Sequence, residues 1–315
     1  MSKTFHTVLI VGGGLIGSSL ARACMENNVV KRLIITDKDA DVRSRLNALN
    51  IGHEVAESAQ SVAAQADLII LAVPPGAMTQ AFSDFADVIK PDCLISDVGS
   101  IKGKIIKDIT PLLPKGVEFI GAHPIAGTEN SGPEAGFASL FTDRWCVLTP
   151  ADENSISAQK LKSFWEKMGS QIVFMDAQRH DLVLATTSHL PHLIAYALVG
   201  TATDMETVTR NEVVKYSAGG FRDFTRIAAS DPVMWRDVFL GNRDAVLEVL
   251  GRYIEDLTAL KKSIRWGEGD VLLKEFTKAR SIRDRIVDAG QESATPNFGR
   301  DMQNDSSDTP DNKDG

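Results

Sequence analysis

At 315 residues, with 43% hydrophobic and 24% charged residues, the chain is long enough for two domains with sizeable cores and has an ordinary globular composition. Its formal net charge is -8, but from Gln291 onward six acids face only Arg300 and Lys313, so the body is mildly acidic and shows no basic stripe for nucleic acid or anionic lipid. Cys24, Cys93 and Cys146 lie far apart among apolar neighbours, which suits buried thiols in a reducing compartment rather than a disulfide frame.

Residues 1–7 lead straight into a strand without a leader pattern, so a cytoplasmic protein is expected. Residues 7–11 read as a continuous apolar strand, followed by Gly12-Gly13-Gly14-Leu15-Ile16-Gly17 and a helix over 18–26. This is the dinucleotide-binding fingerprint in its expected setting of strand, tight turn and helix. Gly12 permits the turn, Gly14 lets a pyrophosphate near the backbone, and Gly17 allows close helix–strand packing. The free N–H groups of the helix start then face the phosphates. Leu15 and Ile16 in the motif, and Val73 and Pro74 at a later strand end, complete the expected cofactor contacts. A second strand, 32–36, ends in Asp37, where a carboxylate accepts hydrogen bonds from a ribose 2′-hydroxyl and repels a 2′-phosphate. NAD is therefore favoured over NADP, with Lys38 next door as the contrary sign. A helix N-cap or turn residue is the other reading of Asp37.

Residues 67–73 form a strand ending in Pro74-Pro75-Gly76, read as a loop, followed by a helix over 77–88 and a strand over 94–97. Asp97-Val98-Gly99-Ser100 comes next, with Lys102 and Lys104 opening a helix. Ser100 either caps that helix, the plainer role for the residue alone, or points into the crevice at the strand's carboxyl end. The strand over 117–122 delivers His123 to a loop of Gly, Pro, Ser and Asn that includes Glu129. Chemistry in an open α/β sheet is placed on such loops, and a histidine held beside Pro124 can exchange protons near neutral pH. A loop histidine without chemistry is the alternative. A strand over 145–148, a helix over 155–168 and a strand over 171–175 close a first domain spanning 1–175.

From Ala177 helical periodicity takes over. Helices over 180–188 and 190–203 are expected to meet near Pro191. The run 182–203 lacks Asp, Glu, Lys and Arg but holds two histidines, so a buried helix rather than a membrane span is expected. His189 and His192 share one helix face, but with His123 they lack carboxylate or cysteine company, so no metal site is expected. Ser217 to Arg226, with a double glycine, Arg222, Asp223 and Arg226, reads either as an anion site or as an internal Arg–Asp pair. Asp231-Pro232 starts a helix carrying Trp235. Val246, Leu250, Tyr253, Leu257, Leu260 and Ile264 trace an apolar stripe at spacings of three and four. A helical half this thin, over 176–288, is expected to bury its faces against a second copy, giving a homodimer. Residues 289–315 read as a disordered acidic tail.

The segments "VGGGLIGSSLA", "DVGSIK", "GAHPIAGTENSG", "SHLPH" and "GGFRDFTRIAASDPVMWRD", in this order, resemble the prephenate/arogenate dehydrogenase family of tyrosine biosynthesis. The resemblance runs from about Val8 to Leu260. It implies an α/β Rossmann-type dinucleotide-binding domain followed by an all-α dimerisation domain. It also implies NAD-dependent oxidative decarboxylation of prephenate to 4-hydroxyphenylpyruvate, or of arogenate to tyrosine. By motif, His123 looks like the group taking the ring hydroxyl proton, Ser100 bridges that hydroxyl, the histidine and the nicotinamide, and Arg226 binds a substrate carboxylate. His192, Glu129, Asp223 and Trp235 look like pocket residues, with His189 behind them. Activity is expected to rise with pH through the titration of His123, with an unperturbed pKa of about 6.5. The rival readings are a dehydrogenase of another small hydroxy acid and an NAD-binding regulator without turnover, which has no need of His123, Ser100 and Arg226 together.

Overall fold

The computed structural model describes residues 4–128, 130–209 and 215–288. In chain order the strands are β1 (Phe5–Val11), β2 (Val30–Thr36), β3 (Glu54–Val55), β4 (Leu68–Leu71), β5 (Leu94–Asp97), β6 (Glu118–Pro124), β7 (Trp145–Thr149) and β8 (Gln171–Phe174). They form one sheet in the order β3-β2-β1-β4-β5-β6-β7-β8. Pairing is parallel from β3 through to β6, antiparallel between β6 and β7, and parallel again at β8. Parallel strands need crossover helices, which cover both faces and make the strands apolar throughout.

Successive strand residues point to opposite faces, and the two cores follow from that. Val8, Ile10, Leu33, Ile35 and Ile70 pack with Leu20, Leu161, Phe164 and Trp165 on one side. Leu9, Ile34, Ile69, Leu71 and Ile95 pack with Phe82, Ile105, Trp235 and Val238 on the other. The helices that cover the sheet are α1 (Leu15–Glu26), α2 (Ala40–Ala48), α3 (Pro75–Ser83), α4 (Gly103–Ile109) and α5 (Ile156–Glu166). Asp39 and Ser155 cap α2 and α5 by accepting from Asp41 and Ala158 backbone N–H.

Several boundaries differ from the sequence reading, each for a local reason. Helix α1 starts at Leu15 inside the glycine motif, because Gly17 is held as a helical residue against the turn before it. Helix α3 starts at Pro75, not 77: proline suits the first helical position, where its missing N–H is not needed. Strand β6 continues through His123 to Pro124, so His123 lies in a strand, opposite Val147 of β7, rather than in a loop.

After β8 come α6 (Ala177–Leu184), a π-helical turn (Ala185–His189) and α7 (Leu190–Thr209). The two helices expected to meet at Pro191 thus run on as one. The wider π turn accommodates a residue that cannot donate an N–H and whose ring crowds the preceding turn. This helix is long and apolar enough to cross a membrane, and it is not buried all round. His180, Asp181, Leu184, Ala185, His189 and Ala195 are buried, whereas Leu182, Val183 and Val199 on its other side are exposed. The chain continues with α8 (Gly219–Thr225), which begins at the double glycine, and α9 (Pro232–Gly241), capped by the Asp231 carboxylate on the Met234 N–H.

Residues up to Leu250 form one compact unit and those from Gly251 a second. The last helices are α10 (Arg243–Trp266) and α11 (Gly269–Asp288). Val246 and Val249 are buried. In the second unit Leu257, Ile264, Trp266, Leu273 and Phe276 are exposed, and the Ser263 hydroxyl donates to Glu268. The tail expected over 289–315 lies outside the described residues.

Candidate active site

Strand order 3-2-1-4-5-6 places a crevice at the carboxyl ends of β1 and β4, where the order reverses. At the end of β1, Gly12 turns with φ +112°, and a Cβ there would collide with the Ala72 carbonyl. A Cβ on Gly17 would collide with the Gly12 carbonyl, so the helix can sit this close only without one. Nothing lies within 4 Å of where a Gly14 Cβ would be, leaving that backbone open to a ligand. No side chain caps the start of α1, so its N–H groups face the crevice. Asp37, at the end of β2, accepts from the Gly13 N–H at 2.8 Å and the Asp39 N–H at 2.9 Å. The cap of α2 is Asp39, not Asp37. Leu15 and Ile16 are half-buried in the first turn of α1, Val73 follows β4, and Pro74 precedes α3. This cradle fits a dinucleotide: the phosphates would take the α1 amides and the ribose the Asp37 carboxylate.

The parallel strands bring Asp97 of β5 and His123 of β6 to the same sheet edge as Gly12. Just beyond β5, Lys102 is fully buried and its ammonium pairs with Asp97 and donates to the Ala122 carbonyl at 2.9 Å. Asp97 also accepts from the backbone N–H of Gly99 and Ala122, which fixes the carboxyl end of β6 against β5. Burial pulls the Lys102 ammonium below the usual lysine range, against the pull of Asp97 and Asp181. His123 Nδ1 lies 2.9 Å from His180 Nε2, and His180 Nδ1 lies 2.8 Å from Asp181 Oδ1. The Asp181 carboxylate accepts in turn from the Lys102 and Gly103 N–H groups at 2.8 Å each. Burial, then the charges of His180, Lys102 and His189, hold His123 well below the ordinary histidine range. The titration expected near 6.5 is displaced to acid pH for that reason.

Ser100 does not cap α4, whose N-cap is Lys102 without a side-chain cap bond; the Asp181 carboxylate satisfies those amides instead. His189 Nδ1 accepts from Asn242 Nδ2 at 3.1 Å, which leaves its proton on Nε2. Burial pushes His189 down to about 4, although Asp181 and the Ser100 carbonyl favour its charged form. Its ring meets Trp235 edge-on, and His192 stacks on the same indole with centroids 3.6 Å apart. Burial, with the Arg226 guanidinium as neighbour, holds His192 below its ordinary range despite the Ser188 carbonyl. Trp235 Nε1 is buried with no hydrogen-bond partner among the described residues, and His189 Nε2 has only the poorly aligned Ser100 carbonyl beside it. Arg226, half-buried, follows α8 directly; Asp223, within α8, is exposed. Glu129 lies outside the described residues. A cavity of about 130 Å³ lined by Pro75, Gly76, Ile101, Lys104 and Asp237 shares no side chain with this cluster.

Of the residues singled out by sequence reasoning, His189 and His192 meet on the Trp235 ring, the Ser100 carbonyl lies beside His189, and Arg226 and His123 lie within electrostatic reach of His192 and His189. That reasoning missed His180, Asp181, Asp97 and the burial of Lys102. The adjacent His180-Asp181 pair at a helix start was the available signal, but only their partners, 57 and 79 residues earlier, give it meaning.

Comparison with known proteins bears on this cluster. Residues 20–174 match the family model "Prephenate dehydrogenase, nucleotide-binding domain" and residues 176–278 match "Prephenate dehydrogenase, dimerization domain". A cyclohexadienyl dehydrogenase from Zymomonas mobilis is 42% identical over 89% of this chain and 95% of its own length. A prephenate dehydrogenase from Bacillus subtilis is 33% identical over 95% of this chain and 80% of its own. The crystal structure of prephenate dehydrogenase from Aquifex aeolicus, in complex with hydroxyphenyl propionate and NAD+, superposes with a TM-score of 0.82 at 34% identity, covering 89% of this chain and 98% of that one. With a dinucleotide cradle and a buried imidazole at the same edge of one sheet, and both family models matched in order, the chain belongs to the prephenate dehydrogenase family.

Proposed function

We propose that the chain catalyses NAD-dependent oxidative decarboxylation of prephenate to 4-hydroxyphenylpyruvate, and accepts arogenate, giving tyrosine. The observation that carries this reading is the buried, neutral His123 at the sheet edge shared with the dinucleotide cradle, with Arg226 reached through His192 and Trp235. When bound, NAD would supply the hydride acceptor for the ring carbon that bears the hydroxyl.

His123 takes the hydroxyl proton at its free nitrogen, a step available to it because burial keeps the ring neutral. Ser100 holds that hydroxyl beside His123. The carboxylate on the opposite ring carbon leaves as carbon dioxide, its bonding pair makes the ring aromatic, the resulting phenolate oxygen takes the proton back from His123, and the loss of carbon dioxide makes the step effectively irreversible. Arg226 forks onto a substrate carboxylate and fixes the approach distance. The unpartnered N–H group of Trp235 supplies a further donor, and His192, Asp223 and Glu129 complete the pocket. Gly12, Gly14, Leu15, Ile16, Gly17, Val73 and Pro74 cradle the dinucleotide, and Asp37 selects NAD over NADP.

In this reading residues 1–175 bind NAD and 176–288 bind substrate and dimerise. The exposed apolar residues of α10 and α11 support a homodimer, and three buried, unpaired thiols support a cytoplasmic protein. Growth of reduced-nicotinamide absorbance on mixing the protein with NAD and prephenate tests the activity, and kcat/KM for prephenate against arogenate tests the breadth. No signal with either substrate overturns it.

A further inference from the structure

We propose that His180 and Asp181 are positioning residues that lock His123 in the single tautomer able to act as a base. This deepens the function proposed above and rests on His123 being that base.

Proton positions follow from the Asp181 end. A carboxylate only accepts, and both Asp181 oxygens already take backbone N–H groups from Lys102 and Gly103. Burial pushes the Asp181 carboxyl up, but the His180 ring and those two amides outweigh it, so the carboxylate stays ionised. His180 Nδ1, 2.8 Å from Oδ1, must therefore carry a proton. Burial also keeps the His180 ring neutral, so its Nε2 bears a lone pair. That lone pair lies 2.9 Å from His123 Nδ1, which must donate to it. A neutral His123 protonated at Nδ1 has its lone pair on Nε2, the nitrogen left for the substrate hydroxyl.

The same chain serves the protonated state. Once His123 takes a proton at Nε2, its Nδ1–H bond to His180 becomes charge-assisted. The ionised groups around the pair are Lys102, at the start of α4, and Asp97 of β5, which neutralise each other, and Asp181 of α6. His189 of the π turn and Cys146 of β7, the other titratable neighbours, are neutral, since burial lowers the one and raises the other. Asp181 is thus the uncompensated anion in line with the new charge. The arrangement matches the way an outer carboxylate fixes ring orientation and tautomer in other histidine sites.

Histidine ¹⁵N NMR of the full chain saturated with NAD tests the tautomer without turnover. The expected wild-type spectrum shows His123 protonated at Nδ1 and bare at Nε2. A wild-type ring protonated at Nε2 overturns the proposal. In kinetics, His180→Phe removes the acceptor and is expected to lower kcat about a hundredfold with KM within about threefold. His180→Gln, which returns an acceptor oxygen near the Nε2 position, is expected to recover most of that loss. Unchanged kcat in His180→Phe, or an equal loss in both variants, overturns the proposal. If His180→Phe does not fold, the wild-type spectrum and the Gln variant still decide. Failure of the underlying reading looks different: there His123→Asn turns over normally whatever the His123 tautomer.

Discussion

The sheet region and the last two helices treat the same kinds of residue in opposite ways. Around β5 and β6 even polar and charged groups are sealed in: Lys102, Asp97 and His180 are fully buried, and each has its partners within the chain. In α10 and α11, Leu257, Ile264, Trp266, Leu273 and Phe276 are left open to solvent. A region that satisfies its own polar groups and covers its own apolar ones can hold a reacting group to a fraction of an ångström. A region that leaves an apolar stripe exposed depends on something else to cover it. The proposed chemistry is thus placed where the fold is self-sufficient, and the proposed self-association where it is not.

The sharpest break of this comparison is His123→Asn. If the sealed region is the catalytic one, kcat falls by about 10²–10⁴-fold while KM changes little. The wild-type pH profile belongs to the same test. The base works only when neutral, and burial depresses its pKa, so turnover is expected to stay flat through neutrality. It should drop only as pH falls through a midpoint well below the ordinary histidine value of about 6.5. A limb centred near 6.5 would show that His123 is not held as described.

Next in size is Lys102→Met, which strands the Asp97 carboxylate in a dry site. Unfolding free energy should fall by about 3–5 kcal/mol, by the same amount at every protein concentration. A loss near zero in denaturant melts would mean water reaches Asp97.

Arg226→Ala should mainly raise KM for prephenate, by about ten- to a hundredfold, as expected for losing a charge-assisted carboxylate contact. An unchanged KM in steady-state kinetics would place the carboxylate elsewhere. The smallest effect belongs to the open helices. Leu257→Ser with Ile264→Ser should weaken self-association about tenfold or more by sedimentation, since each removes apolar area from a covered face. Wild-type association insensitive to both changes would put the dimer contact on another surface.

How much of this was legible beforehand differs by residue. The glycine motif, Asp37, the strand alternation and the apolar stripe of α10 are written in spacings of a few residues, so pattern alone found them. Pro75 and Pro191 misled, because each was read as a break. One sits at the first position of a helix and the other behind a π turn, so backbone geometry absorbed both. Ser100 reads as a cap, but Asp181, 79 residues after Lys102, accepts from the helix-start amides instead. Lys102 reads only as a helix opener, since nothing local announces that a lysine will be buried on an aspartate five residues back.

Sequence by itself determined the alternation of strands and helices and the glycine turn of the dinucleotide cradle, because each depends on residues close together along the chain. Tertiary structure alone decided that His123 stands in a strand, that His180 and Asp181 reach it from α6, and that the ring is kept neutral. Hydrogen-bond partners and the dielectric around a proton are set by what packs nearby in space, and no local spacing encodes that.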